Sequence, residues 1–164
     1  MFVLGLDPGK GGGVAIVGAK LCAAAPMPVM EVGSKWEVDV ARLIEWFESV
    51  VTDRRAVNLA AIEQVSSRPK QGVVSTFSFG QCYGELIGAM KALDILVNRV
   101  PPQTWKAEIL GGTEKDKAAA VAYVLREHPD LNLLATPRSR KPHDGMADAV
   151  CLADYAWRKL VSAG

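Results

Sequence analysis

Four acidic residues fall where a sequence rarely leaves them by accident. Asp7 closes the apolar run at residues 2–6, and Glu63 closes a second such run at residues 59–62. Runs of that length and type read as strands buried on both faces. In open α/β sheets, ligand sites gather beyond the carboxyl ends of the strands. Asp144 and Asp148 lie four apart near the C-terminus, in a stretch with helical spacing. At about 100° per residue they are only about 40° apart around a helix axis. Like charges one turn apart repel mildly, and burying an ionised carboxylate costs several kcal/mol unless it is paired or bound to a cation.

Four oxygen donors with little histidine suit hard Mg²⁺, with Mn²⁺ an acceptable substitute, better than zinc. Two such ions about 3.5–4 Å apart can clamp the attacking and leaving oxygens of a phosphodiester. The chemistry these residues suggest is metal-assisted phosphodiester hydrolysis.

The elements that must carry these side chains follow from the hydropathy pattern. A strand at residues 2–6, a hairpin tip at 11–13 and a strand at 14–17 open the chain, and prolines mark a third, edge strand near 21–29. Val40, Leu43, Ile44, Phe47, Val50 and Val51 keep helical spacing behind Asp39 as a cap. A strand ending at Glu63, a long helix at 73–93 and a strand at 95–100 stopped by Pro101 and Pro102 come next. One helix follows Lys115, and a last one spans about residues 144–160. Strands alternating with helices in the second half imply parallel pairing, and the opening hairpin makes the sheet mixed. The expectation is a single α/β domain over residues 1–164, with a mixed five-stranded central sheet flanked by helices.

The ordered motifs Leu4-Gly-Leu-Asp-Pro-Gly, Gly13-Val-Ala-Ile, Ala61-Ile-Glu-Gln-Val, Pro102-Gln-Thr-Trp-Lys and His143-Asp-Gly-Met-Ala-Asp-Ala-Val resemble those of RuvC-type Holliday junction resolvases over almost the whole chain. The His-Asp-Gly form resembles phage and prophage members more than the cellular enzyme. The resemblance implies a ribonuclease H-like fold and a homodimer that nicks four-way DNA junctions symmetrically. It also implies two Mg²⁺ ions held by acids at the positions of Asp7, Glu63, Asp144 and Asp148. Two departures stand out. Many members space the last two ligands by three residues, where this chain has Gly145, so His143 rivals Asp144 as a ligand. The aromatic wedge that follows the glutamate in the family is replaced by Ser66; Phe77 and Phe79 are the candidate substitutes, though core packing is the role expected of both.

The formal net charge is +1, from 19 basic and 18 acidic residues. Setting aside the four proposed ligands leaves 14 acids of the 18 against those 19 bases. The basic residues cluster at the loops beside the strand ends: Lys10, Arg68 and Lys70, Lys106, Lys115 and Lys117, then Arg138, Arg140 and Lys141. Contacts from them to phosphate would hold DNA without reading its sequence. By resemblance, a lysine at 115 or 117 assists the active site and Lys106 contacts DNA.

At 49% hydrophobic and 23% charged over 164 residues, the composition excludes a disordered, collagenous or coiled-coil chain. A chain of this length buries roughly two-thirds of its surface. Three cysteines, Cys22, Cys82 and Cys151, form no disulfide framework and point to a reducing cytoplasm; the resemblance implies a bacterial or phage-infected host cell. No apolar run reaches the roughly 20 residues of a membrane span, and no signal peptide is expected. Lys10 follows Gly9 without the spacing or hydroxyl of a Walker A loop. A sugar-kinase-type nucleotide-binding protein would need a second glycine-rich loop. Flap, fork or RNA cleavage, and junction binding without cutting, are the alternatives that keep this site. His128, before Pro129, reads as structural, and Trp36, Trp46, Trp105 and Trp157 as packing residues. Gly80, Gly84 and Gly88 form one stripe on the long helix, expected to pack on the chain's own sheet or on a second copy.

Overall fold

Alternation along two neighbouring strands decides the architecture. In β1 (Phe2–Asp7) the side chains of Leu4 and Leu6 enter one apolar core, while Val3 enters another and Gly5 faces the same way. β6 (Val57–Glu63) repeats the pattern, with Ala60 and Ile62 on the first side and Leu59 and Ala61 on the second. Both strands are thus buried on two faces, as their unbroken apolar runs require. This computed structural model describes residues 1–33, 35–64, 66, 72–112 and 117–162.

The central sheet has five strands in the order β3-β2-β1-β6-β7, adding β2 (Gly13–Gly18), β3 (Leu21–Pro26) and β7 (Leu96–Val100). β2 runs antiparallel to β1 and β3, and β6 parallel to β1 and β7. The mixed five-stranded α/β sheet flanked by helices is the expected one. α1 (Val40–Val50) and α2 (Val73–Ala92) cover one face, burying Leu43, Phe47, Leu86 and Met90 against Leu4, Leu6 and Ile62. α5 (Asp144–Ser162) covers the other face, flanked by α3 (Pro102–Ile109) and α4 (Lys117–Glu127). Asp39 caps α1 as expected, accepting from the Arg42 backbone N–H at 3.1 Å.

Three expectations need correction. The third strand does not run to residue 29. It stops at Pro26, and Val29–Val32 (β4) pairs with Lys35–Val38 (β5) in a separate two-stranded sheet. Pro26 and Pro28 have no N–H to continue the ladder, while the Met27 N–H turns inward to Gly12 O at 3.0 Å. The proline pair at 101–102 does more than stop β7, since Pro102 opens α3 from its first turn, where a missing N–H costs nothing. Finally, β7 begins at Leu96 rather than Ile95, because a turn through Asp94, at φ 57°, ties the Ile95 N–H to Met90 O.

Candidate active site

Strand parity puts the two strand-end acids on one face. Asp7 continues the Val3–Gly5 side of β1, and Glu63 continues the Leu59–Ala61 side of β6. Both therefore lie on the α5 side of the sheet. β1 and β6 are parallel with Leu6 opposite Ile62, so the two acids end neighbouring strands side by side. Each is half-buried.

The N-terminus of α5 is brought over this edge by glycines. Gly13 pairs with Asp7 across β1–β2. A methyl group on Gly13 would stand 2.7 Å from the Met146 backbone nitrogen. One on Gly145 would meet the backbone of Gly11 and Gly12. Backbone lies on backbone at this crossing, which only glycine permits. Asp144, next to Gly145, opens the helix beside Asp7's strand partner. Asp148 stands one turn further along, and both are half-buried. The positive end of the helix favours a carboxylate at Asp144.

Further contacts hold the edge in shape. Phe79 of α2 covers the turn after Asp7: its ring would lie 3.1 Å from a methyl on Gly9, which adopts φ 116°. Trp105, fully buried in α3, donates its indole N–H to Glu63 Oε2 at 2.9 Å. A buried indole needs such a partner, and the bond fixes one of the two carboxylate oxygens. The packing role expected of Trp105 is correct but incomplete; the sequence signal was its place just past the strand beside Glu63. His143 precedes α5 and caps it. Its carbonyl accepts from Ala147 N–H at 3.2 Å, and its Nδ1 accepts from Met146 N–H at 3.2 Å.

The sheet and α5 together bring all four acids to one end and one face. Their side chains are not drawn together around one point: among the described residues, no group of three or more His, Cys, Asp or Glu stands in metal-holding geometry. The donor set, four half-buried carboxylates, fits a hard divalent ion in chemical type.

Of the basic residues, Lys10 lies exposed in the turn after Asp7, with its ammonium 4.1 Å from the centre of the Trp36 ring on β5. Lys106 is half-buried, its ammonium 5.1 Å from the centre of the Trp105 ring. Arg138, Arg140 and Lys141 are exposed on the loop entering α5. Arg68, Lys70, Lys115 and the side chain of Lys117 lie outside the described residues. Core packing, expected of both phenylalanines, fails for Phe77, which is 68% exposed on the first turns of α2, whereas Phe79 is half-buried on the Gly9 turn. Among the described residues no helix is long and apolar enough to cross a membrane.

No protein-family model matches the sequence, and no curated protein sequence does. Solved structures do match in fold. Thermus thermophilus RuvC is 19% identical, with 99% of this chain and 97% of that one covered, at a TM-score of 0.58. T. thermophilus RuvC in complex with Holliday junction substrate is 17% identical, with coverage of 98% and 96%, at 0.60. The yeast mitochondrial Holliday junction resolvase Ydc2 is 13% identical, covering 98% of this chain and 80% of that one, at 0.52. At these identities the likeness is one of fold, and the fold is the ribonuclease H-like one expected.

Proposed function

We propose that this chain, built on the fold of RuvC, is a divalent-metal-dependent endonuclease that resolves four-way DNA junctions. The observation that carries the reading is the placement of Asp7, Glu63, Asp144 and Asp148 on one face at one end of the sheet, where α5 crosses it on glycine backbone. The same fold in a RuvC structure holding Holliday junction substrate supports the choice of substrate.

Asp7, Glu63, Asp144 and Asp148 would hold two Mg²⁺ ions. When bound, these would lower the pKa of the attacking water and stabilise the departing 3′ oxygen. The Trp105 indole orients the Glu63 carboxylate. Asp144 is favoured over His143 as ligand because the His143 ring is already committed. A neutral imidazole accepting at Nδ1 carries its hydrogen on Nε2, so neither nitrogen offers a lone pair to a cation. Lys10, Lys106, Arg138, Arg140 and Lys141 come from three segments, the turn after β1, α3 and the loop entering α5, and would take the junction's phosphates. Arg68, Lys70, Lys115 and Lys117 complete the proposed basic set.

A cut at each of two opposed strands needs two sites, and a homodimer supplies them. α2 offers a surface for it: a methyl on Gly80, Gly84 or Gly88 would meet nothing within 4 Å, so the chain's own sheet does not cover this stripe. Val73, Val74 and Phe77 are 85%, 70% and 68% exposed on the same helix.

A panel of end-labelled substrates tests the choice. Four-way junction, flap, fork, linear duplex and RNA–DNA hybrid are incubated with the protein in Mg²⁺. The junction is expected to be cut fastest. Preferred cleavage of the hybrid or the flap would reassign the substrate.

A further inference from the structure

Packing, the role expected of the tryptophans, fails for Trp36. It is 44% exposed, whereas Trp105 is fully buried and Trp46 and Trp157 are half-buried against the two cores. The local structure shows what holds the ring out. Trp36 stands opposite Glu31 on the β4–β5 ribbon, and strand alternation puts both on the face of Val29 and Val38. Val29 and Val38 enter the core under α1 and α2, while Trp36 and Glu31 continue that face beyond its rim, both exposed.

The ribbon is tied to the turn that follows Asp7. The Met27 N–H donates to Gly12 O at 3.0 Å, and the Gly12 N–H closes the turn onto Gly9 O at 3.0 Å. Lys10 lies exposed in that turn, and its ammonium stands 4.1 Å from the centre of the Trp36 ring, inside the roughly 6 Å of a cation–π contact. Lys10 follows Asp7 by three residues, at most about 11 Å of chain, or about three stacked nucleotides. The acids lie on the α5 side of the sheet and the ribbon on the α1–α2 side, so the two flank the Asp7 turn.

A flat π surface beside an exposed ammonium, this close to a site for phosphodiester cleavage, matches a nucleobase with its own phosphate. A paired base within a duplex keeps its faces stacked on its neighbours, so the ring can take only an unpaired one. Glu31 beside the ring repels a phosphate, which leaves the Lys10 side for it. Resting on the endonuclease reading above, we infer that Trp36 and Lys10 form a platform for an unpaired nucleotide of the strand being cut. That strand passes from the acids over the Gly9–Gly12 turn, lays one base on the Trp36 ring and sets its phosphate on Lys10. Stacking tolerates any base, so the platform selects for opened strands and not for sequence.

The probe is a fluorescein-labelled oligothymidylate, with a labelled duplex of the same length as control. Each is titrated with the full chain in EDTA at one fixed salt concentration. Trp36→Ala should weaken single-strand binding by about tenfold, as the loss of one base stack does, and leave duplex binding within about twofold. Trp36→Phe should keep most of the affinity. Trp36→Leu should lose it as alanine does, because leucine is apolar but has no π face. Oligothymidylate should also quench tryptophan emission in the wild type, and Trp36→Phe should abolish that quenching. Trp36 is exposed at the rim, so none of these changes opens a cavity in either core.

Equal losses on both DNAs in Trp36→Ala, full affinity in Trp36→Leu, or quenching that persists in Trp36→Phe would overturn the platform. Junction nicking in Mg²⁺, run on the same preparations, separates it from the reading it rests on. A wild type that nicks while Trp36→Ala binds the single strand as tightly as wild type overturns the platform alone. A wild type that nicks nothing, yet binds oligothymidylate through Trp36, overturns the nuclease and leaves the platform standing. A wild type that binds neither DNA overturns the platform as well.

Discussion

Asp7 and Glu63 carry the chemistry only if their charge, and not their shape, is what matters. Asp7→Asn and Glu63→Gln keep the shape and remove the charge. Each should lower junction cleavage in Mg²⁺ by at least about 100-fold, while junction binding and the melting temperature change little. A gel assay of nicking beside a binding titration checks both halves. A near-normal nicking rate in either variant would remove that residue from the site. The next choice lies between neighbours. Asp144→Asn should abolish cleavage, whereas His143→Ala should lose mainly the cap to Met146, about 1 kcal/mol of stability. The reverse pattern, measured in the same cleavage assay with a denaturant melt alongside, would make the histidine the ligand. All four acids were legible from the sequence, because each sits at a strand end or on a helical repeat. The Trp105–Glu63 bond was not. It joins residues 42 apart through the packing of α3, an element the proline pair disguised as a mere strand stop.

α5 is the element on which the site turns, and Gly145 sets its height. A methyl group there meets the backbone of Gly11 and Gly12, which cannot rotate away as a side chain could. Alanine gains up to about 1 kcal/mol of helix propensity over glycine, but less near a helix start. Overpacking against backbone costs about 1–3 kcal/mol, so the clash wins. Gly145→Ala should therefore lower stability in a denaturant melt and cut nicking by more than the stability loss explains, because Asp144 and Asp148 move with the helix. A variant as stable and as active as wild type would show that α5 has room to spare. The sequence presented Gly145 only as a position without a ligand; its packing role needs the crossing of two backbones, which no spacing rule encodes.

α4 is joined to α5 by the His128–Asp154 pair, which makes stability depend on pH. The bond to Asp154 and then that to Cys22 outweigh burial and hold folded His128 near 10, against about 6.5 for an unfolded histidine. Between those values the folded chain binds more protons than the unfolded one, so stability falls as pH rises. The pair's contribution is whole below about pH 6.5 and gone above about pH 10. The urea midpoint should be lower at pH 9 than at pH 6, and His128→Gln should flatten that difference. Equal slopes in both proteins would detach the pH dependence from this pair.

At the scale of the whole molecule, the mixed character of the sheet and the alternation of strands and helices were readable from apolar runs and their spacing. The β4–β5 sheet was not, because its strands are short and exposed and carry no buried run. The partner of the Gly80–Gly84–Gly88 stripe was also undecided until the structure left it open. A C2 homodimer through α2 should run at twice the chain mass in light scattering at micromolar concentration. Phe77→Glu should shift it to monomer and suppress paired nicking. An active monomer of wild type would remove the dimer from the account.

The central claim is that the acids at the end of this sheet cut a four-way junction with bound divalent metal. It is tested most directly with a synthetic immobile junction, labelled on each strand in turn and incubated with the purified protein in Mg²⁺ or in EDTA. The account predicts paired nicks at symmetric positions on opposed strands, sealed by DNA ligase, in Mg²⁺ alone. An intact junction in Mg²⁺ at protein concentrations that saturate binding, or equal cleavage in EDTA, would contradict it.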